Sequence, residues 1–281
     1  MKTRIITSVA ILAVIVPVVL LSEYIVYPIL ISALAAIAVF EMLRALGMEK
    51  EWFVSVPAYL YAVAFPFSCF YVSSERLYVF LLIFAVLIFS YLLYLMAVSV
   101  FSKGRITVAH VAEVFFAVTY IVVSFSMMSM IRYVDRSVGL YVLILAFVAA
   151  WMSDVSAYFV GTLIGKHKLI PEVSPKKTVE GSLGGIIFAV LGLLLYGLIL
   201  DLIVEGLRVN YAVLPVLGFI LSIISQLGDL IASLIKREHG IKDYGKLLPG
   251  HGGIMDRFDS VLPVSTAILV ICILFPPFAI S

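Results

Sequence analysis

Long apolar runs separated by short polar segments extend along the whole sequence. A helix needs about 20 consecutive apolar residues to cross the hydrocarbon core of a bilayer, because each residue adds about 1.5 Å along the axis. The pattern therefore predicts an all-α, polytopic integral membrane protein with about nine transmembrane helices. The predicted helices span residues 5–21, 24–42, 52–72, 77–101, 107–131, 139–164, 183–204, 211–235 and 260–280.

Composition supports this class and excludes several others. Of the 281 residues, 64% are hydrophobic and 13% are charged, against about 45–50% and about 25% in soluble domains. A disordered chain, a disulfide scaffold and an ordinary soluble domain are therefore excluded. The net charge of +2 gives no broad basic surface, so we expect no nucleic-acid partner. Cys69 and Cys272 lie inside apolar runs and indicate neither a metal site nor a disulfide.

The distribution of basic residues predicts the orientation in the membrane. With nine helices, fifteen of the 19 Lys and Arg residues fall on one side, and positive residues accumulate on the cytoplasmic side. We therefore expect a cytoplasmic amino terminus and an external carboxyl terminus, in the plasma (inner) membrane. The first run follows Lys2 and Arg4 as in a signal peptide, but no small-residue cleavage pattern ends it, so we expect a retained helix.

Two connections are long and polar, at residues 165–182 and 236–259. Both are predicted to be cytoplasmic, and they are the only predicted soluble regions with room for chemistry. We therefore divide the chain into a scaffold of five helices at 1–132 and a catalytic region of four helices at 133–281, which carries both loops.

Four acidic residues interrupt the apolar runs, namely Glu41, Glu113, Asp154 and Asp229. A carboxylate in hydrocarbon costs several kcal/mol unless it is paired or faces water. All four fall in or near the predicted cytoplasmic half, and together they predict a polar chamber open to the cytoplasm. A polar contact between helices is the alternative for each one. Asp154 is expected either to support the metal centre or to pair with a lysine of the chamber, whereas Glu41 and Glu113 receive no individual role.

The loop at 236–259 combines cations, glycines and carboxylates. Glycine permits a close approach of the backbone to a ligand, and backbone amides suit phosphate oxygens. Asp256 and Asp259 are three residues apart, so they share one face of a helical turn, and with Asp229 they suit a hard divalent cation. The segment therefore predicts a polyphosphate and magnesium site. Its other candidate members are Lys236, Arg237, Lys242, Lys246, Gly250, His251, Gly252 and Gly253.

These residues resemble the signature of a known family, the phosphatidate cytidylyltransferases or CDP-diacylglycerol synthases. The run SPKKTVEGSLGG at 174–185 is similar to that family as well, and the resemblance covers about residues 150–260. The first 130 residues match only as generic membrane helices. The signature consists of Ser233, Lys236, Arg237, Lys242, Asp243, Gly245, Pro249, His251, Gly252, Gly253, Asp256, Arg257 and Asp259, and Asp154, Ala157, Tyr158 and Gly161 add to it.

The resemblance implies transfer of the cytidylyl group from CTP to phosphatidic acid, which gives pyrophosphate and CDP-diacylglycerol for phospholipid synthesis, with Mg²⁺ required. The implied partners are CTP, phosphatidic acid and membrane lipids. A second cation and a homodimer are left open.

Roles for individual residues follow from this reaction and from the charges. We expect Asp229, Asp256 and Asp259 to bind the metal. His251 is expected either to donate to a phosphate or to orient the loop. The remaining catalytic candidates are Lys236, Arg237 and Lys242, with Asp256 counted among them. The expected substrate-binding residues are Ser174, Lys176, Lys177, Thr178, Lys246, Gly252, Gly253 and Arg257.

Two other functions are compatible with a polar site in a membrane protein. A CTP-dependent polyprenol or phytol kinase also needs lysines and metal carboxylates, but it needs a base for the acceptor hydroxyl. An ion-coupled transporter would distribute polar residues across the whole membrane and show an internal repeat. The sequence has its charges on one predicted side and favours the cytidylyltransferase.

Overall fold

The computed structural model describes Ala13 and residues 15–280 of the chain. In that part, seven helices are long and apolar enough to cross a membrane. The predicted all-α, polytopic membrane class is therefore confirmed, whereas the count of nine helices is not. Most of the first predicted helix, at 5–21, lies outside the described residues.

Nine α-helices, two short 3-10 helices and four short strands have both ends in the described part of the chain, and residues 15–20 ahead of them are also helical. The helices are α1 (Val26–Ala45), α2 (Trp52–Ser68), α3 (Leu77–Phe101), α4 (Val108–Val134), α5 (Gly139–Ile164), α6 (Val179–Ile203), α7 (Val213–Glu238), α8 (Met255–Phe258) and α9 (Val261–Leu274). The strands are β1 (Lys168–Ile170), β2 (Ser174–Thr178), β3 (Leu207–Val209) and β4 (Phe278–Ile280). Two antiparallel pairs form, β1 with β2 and β3 with β4.

The last predicted helix, at 260–280, is wrong in length. Helix α9 has 14 residues, which corresponds to about 21 Å and is shorter than the roughly 30 Å of a bilayer core. Pro276 and Pro277 follow it. Because a residue before proline is disfavoured in the helical conformation, and proline donates no backbone hydrogen bond, the chain leaves the helix and forms β4 instead.

The connection predicted at 165–182 is shorter than expected. Strands β1 and β2 form a hairpin in it, and helix α6 begins at Val179, four residues before the predicted start. The Thr178 side chain accepts a hydrogen bond of 3.1 Å from the Gly181 N–H, so Thr178 is the N-cap of the helix. Gly181 fell in the predicted connection, but it lies within the first turn of α6.

The chain forms two compact units. The first contains the described residues up to Asp135 together with Asp243–Arg257, and the second contains Arg136–Lys242 and the residues from Phe258 onward. The predicted functional division at 132/133 stays a prediction. The greater part of the loop predicted at 236–259, Asp243–Arg257, packs with the first unit and not with the second.

In the first unit, helices α1, α2 and α4 pack against one another, and α4 contributes the longest run of buried residues. Helix α3 buries only Phe84, Tyr91 and Leu95, so the rest of its apolar surface suits contact with lipid. The buried guanidinium of Arg132 donates from Nε to the Ser22 hydroxyl over 2.7 Å.

In the second unit, α5 and α6 pack closely through small residues. A Cβ at Gly181 would lie 2.6 Å from the carbonyl oxygen of Ala157 and 3.1 Å from the Cα of Gly161. The bare backbone at Gly161 and Gly181 therefore lets the two helices approach closely. Helix α7 packs on both and adds buried polar contacts, including Ser222 to Ser153 at 2.7 Å between hydroxyl oxygens.

Candidate active site

In the second unit, strand β2 brings a lysine to a carboxylate of helix α7. The Lys177 Nζ lies 2.8 Å from Asp229 Oδ2 and donates to the Gln226 carbonyl oxygen over 3.2 Å. Ser233, one turn after Asp229, donates to its other carboxylate oxygen over 3.4 Å. The side chains of Lys177 and Asp229 are 23% and 33% exposed. A predicted substrate-binding residue and a predicted metal ligand therefore meet at a position that solvent reaches.

Asp154 of helix α5 is held by two serines. Ser260, directly before α9, donates to one carboxylate oxygen over 2.7 Å, and Ser225 of α7 donates to the other over 3.5 Å. Its expected role, either supporting the metal centre or pairing with a lysine, stays a prediction. These contacts fix the orientation of its carboxylate between α5, α7 and the start of α9.

Asp259 shares an electrostatic environment with these groups. Burial raises the pKa of the Asp259 carboxyl to about 7, the carboxylates of Asp229 and Asp154 also raise it, and Lys236 lowers it. The Ser260 N–H donates to Asp259 Oδ1 over 2.9 Å. Crowded carboxylates disfavour one another's ionised form. A bound cation would relieve that repulsion.

The donor set of the second unit fits a magnesium ion that also binds phosphate. Among residues 15–280 and Ala13, no three His, Cys, Asp or Glu side chains are arranged to hold a metal by themselves. Mg²⁺ is usually bound by one or two carboxylates, with water and substrate phosphates completing its shell. Asp229 and Asp259 carry carboxylate oxygens of this kind, and their binding of a metal stays a prediction. The role of Asp256 as a third ligand stays a prediction.

In the first unit, the segment Asp243–Arg257 is closed by the carboxylate of Asp256. Its Oδ2 accepts from the Tyr244 N–H over 2.8 Å and from the Gly253 N–H over 3.0 Å, and the side chain is buried. Asp256 therefore joins the two ends of the segment. This structural contact had no counterpart in the sequence pattern, because its partner Tyr244 lies twelve residues earlier.

The glycines of this segment form a tight turn. Gly250 and Gly252 have φ angles of 76° and 86°, a region that side chains with a Cβ rarely adopt. Leu248 donates from its N–H to the Gly252 carbonyl over 2.9 Å, and the His251 N–H donates to the Leu248 carbonyl over 2.8 Å. The backbone around His251 is therefore compact, and the N–H groups of Leu248 and His251 are satisfied within the turn. Phosphate binding by this turn stays a prediction.

Helix α1 supplies residues that the sequence did not assign to the site. Both oxygens of the Glu41 carboxylate accept backbone hydrogen bonds, from Ile254 over 3.1 Å and from Met255 over 2.9 Å. The Arg44 guanidinium donates to the Tyr244 carbonyl oxygen. The sequence did contain one sign of this contact, namely the carboxylate of Glu41 near the end of an apolar run. That position indicated a polar environment but did not identify the backbone groups that bind Glu41.

The other predicted site residues fall into three groups by exposure. Thr178 is buried and its hydroxyl is the cap of α6. Gly253 is buried as well. The partly buried residues are Ser174, Lys236, His251 and Gly252. The exposed side chains are those of Lys176, Arg237, Lys242, Lys246 and Arg257. Exposed cations of this kind are accessible to a soluble anion.

Comparison with known proteins gives one consistent result. The model of the cytidylyltransferase family matches residues 2–275. The phosphatidate cytidylyltransferase of Bacillus subtilis is 36% identical over 282 residues, which cover 98% of each chain. Those of Staphylococcus epidermidis and Staphylococcus aureus are 35% and 36% identical over 273 residues, or 96% of this chain and 99% of the relative. Since the matches span almost all of this sequence and of its relatives, the chain belongs to the cytidylyltransferase family.

Proposed function

We propose that this protein transfers the cytidylyl group of CTP to phosphatidic acid, which forms CDP-diacylglycerol and releases pyrophosphate. The observation that carries the proposal is the Lys177–Asp229 pair, 2.8 Å apart, in the electrostatic environment that Asp229 shares with Asp154, Asp259 and Lys236. Family membership and the names of the relatives support the same reaction.

The reaction joins two anions, so its main requirement is charge neutralisation and alignment. A phosphate oxygen of phosphatidic acid attacks the α-phosphorus of CTP. The bond from that phosphorus to the oxygen bridging to the β-phosphate breaks, and its electron pair leaves with pyrophosphate. The lipid phosphate is largely ionised near neutral pH, so no strong general base is needed. Lys177 and Lys236 would bind the phosphates as point charges.

Magnesium belongs to the proposal, with Asp229 and Asp259 as the carboxylates that fit it in the second unit. When bound, the ion supplies positive charge at the phosphate oxygens on which negative charge builds up. Lys177 already lies against Asp229, so the carboxylate is oriented before a ligand arrives. Asp256 as a further ligand rests on its three-residue spacing from Asp259, and a second cation stays open.

A membrane fold suits these two substrates. The acyl chains of phosphatidic acid stay in the bilayer, whereas CTP is soluble, so the site has to lie at the boundary between lipid and water. We place it at the cytoplasmic face of the plasma membrane, in a polar chamber, with the amino terminus inside and the carboxyl terminus outside. The charge asymmetry of the loops supports this orientation. Assembly as a homodimer stays a prediction.

An assay with purified protein in detergent tests the proposal. CTP labelled at the α-phosphate is incubated with phosphatidic acid and magnesium, and the lipid and aqueous products are separated. We expect label in the lipid, equimolar pyrophosphate, and loss of turnover when a chelator removes magnesium. Label recovered as CDP would instead indicate a lipid kinase. Absence of turnover across several divalent metals would contradict the proposal and favour a transporter.

A further inference from the structure

The segment Asp243–Arg257 is anchored to the buried carboxylate of Glu41. Glu41 is 2% exposed, and its two oxygens accept from the backbone N–H groups of Ile254 and Met255, over 3.1 Å and 2.9 Å. These partners lie 213 and 214 residues away in the sequence. A buried carboxylate is costly unless such donors satisfy it, and here the donors belong to the segment that carries the predicted phosphate-binding glycines.

The glycines of the segment fit closely around this carboxylate. A Cβ added at Gly253 would collide with the carboxyl group of Glu41, whose atoms are its three nearest neighbours. A Cβ at Gly245 would collide with the same group. Two turns of the segment therefore contact Glu41 through bare backbone, and the contact leaves no room for a methyl group.

Two further charged side chains fix the start of the segment. The Arg44 guanidinium, one turn after Glu41 on α1, donates to the Tyr244 carbonyl. Asp256 accepts from the N–H of that same residue over 2.8 Å. The backbone of Tyr244 is thus held from two sides, and Glu41 holds the other end of the segment at Ile254 and Met255.

We propose that Glu41 is a positioning residue for the transfer reaction. It holds the backbone at Ile254 and Met255 and packs against Gly253, and it thereby positions the adjoining turn with His251 and Gly252 for phosphate binding, although it lies more than 200 residues away in sequence. The inference rests on the proposed function, because the segment binds phosphate only if the protein carries out that reaction. It also gives the amino-terminal helices a part in catalysis beyond that of a scaffold.

The variant Glu41→Gln tests the proposal with a minimal change in shape. A glutamine side chain has one acceptor oxygen, and its NH₂ group would face a backbone N–H, so one of the two hydrogen bonds is lost. We expect amide hydrogen exchange in peptides covering 243–257 to rise at least tenfold. We expect kcat for cytidylyl transfer to fall about a hundredfold, as displacements near 1 Å do in other enzymes. The exposed Glu75→Gln variant is the matched control.

The double variant Glu41→Ala with Gly253→Ala tests the contact itself. Gly253→Ala alone should lower kcat strongly, because its methyl group meets the carboxylate. In the Glu41→Ala background the same methyl enters vacated space, so it should add less than about a threefold further loss. Independent roles would instead multiply the two losses.

The outcomes separate this proposal from the proposed function. Unchanged exchange in 243–257 overturns the anchoring role of Glu41. Raised exchange with kcat within about twofold of the wild type overturns the positioning role. Exchange in helix α4 reports folding of the same unit. If exchange in α4 rises in Glu41→Gln, that variant has lost folding of the whole unit and does not test the proposal. Gly253→Ala, which keeps Glu41, then provides the test, and full activity of Gly253→Ala overturns the proposal. Absence of cytidylyl transfer by the wild-type protein would contradict the proposed function. The hydrogen-exchange measurement needs no substrate, so it tests the anchoring role of Glu41 independently of that function.

Discussion

At the scale of single residues, the Lys177–Asp229 pair is better explained by chemistry than by stability. Both side chains are partly exposed, at 23% and 33%, and an ion pair of that exposure contributes only about 0–1 kcal/mol to folding. Its position beside Gln226 and Ser233 instead holds a cation and a carboxylate where an anionic substrate can reach them. A substitution there should therefore affect turnover much more than unfolding.

Lys177→Met tests this expectation. The change removes the positive charge and keeps most of the apolar stem, so the phosphates lose one charged donor. Removing one donor to developing charge typically costs a hundredfold to a thousandfold in kcat, and we expect a loss of at least about a hundredfold. The thermal unfolding midpoint in detergent should stay within a few degrees of wild type. Lys168→Met, an exposed lysine on the paired strand β1, is the control, and equal activities of the two variants would contradict the role of Lys177.

The sequence singled out Lys177 and Asp229, which the structure brings together, but it did not show the contacts that orient them. Their roles stay predictions. A charged side chain within an apolar run can be recognised as a candidate site residue from its immediate sequence neighbours. The partners of Glu41 and Asp154 lie 213 and 106 residues away, and no local pattern encodes such pairings. For Asp256, spacing suggested a metal ligand, whereas the structure adds hydrogen bonds to two backbone N–H groups.

At the scale of elements, hydrophobic runs predicted where helices lie more accurately than where they end. The predicted runs at 77–101 and 139–164 coincide with α3 and α5. Ends depend on single residues, such as the Thr178 cap that starts α6 and the Pro276–Pro277 pair that follows α9. Glycine is ambiguous in this respect, because it is typical both of loops and of helices that pack closely.

Two glycines of α6, Gly181 and Gly192, both pack against α5, but one faces backbone atoms and the other a flexible side chain. Gly181→Ala puts a methyl 2.6 Å from the backbone oxygen of Ala157, whereas Gly192→Ala puts one 2.8 Å from the flexible side chain of Met152. Both changes gain about the same helix propensity, so their difference reports packing. We expect Gly181→Ala to lower the free energy of unfolding by about 1–3 kcal/mol and Gly192→Ala to change it less. Thermal unfolding in detergent measures both, and equal stabilities would contradict the close backbone contact.

At the scale of the whole molecule, helix packing does not distinguish the two faces of the membrane. Length and apolar surface establish that a helix can cross, and they are the same in either direction. Sidedness depends on the charges of the connections, since basic residues are retained on the cytoplasmic side. The β1–β2 hairpin has exposed Lys168 and Lys176, whereas the β3–β4 pair has Arg208 as its exposed cation among the described strand residues.

Cysteine labelling tests this orientation. Lys168→Cys should react with a membrane-impermeant maleimide in inside-out vesicles and stay unlabelled in right-side-out vesicles. Arg208→Cys, at an exposed position of β3, should show the opposite pattern, because helix α6 separates the two positions. Native Cys69 is buried and Cys272 partly buried, so the unsubstituted protein gives the background signal. Labelling of both positions from one side would mean that α6 does not cross the bilayer, and the reverse pattern would place the lysine-rich hairpin outside, where cytoplasmic CTP does not reach it.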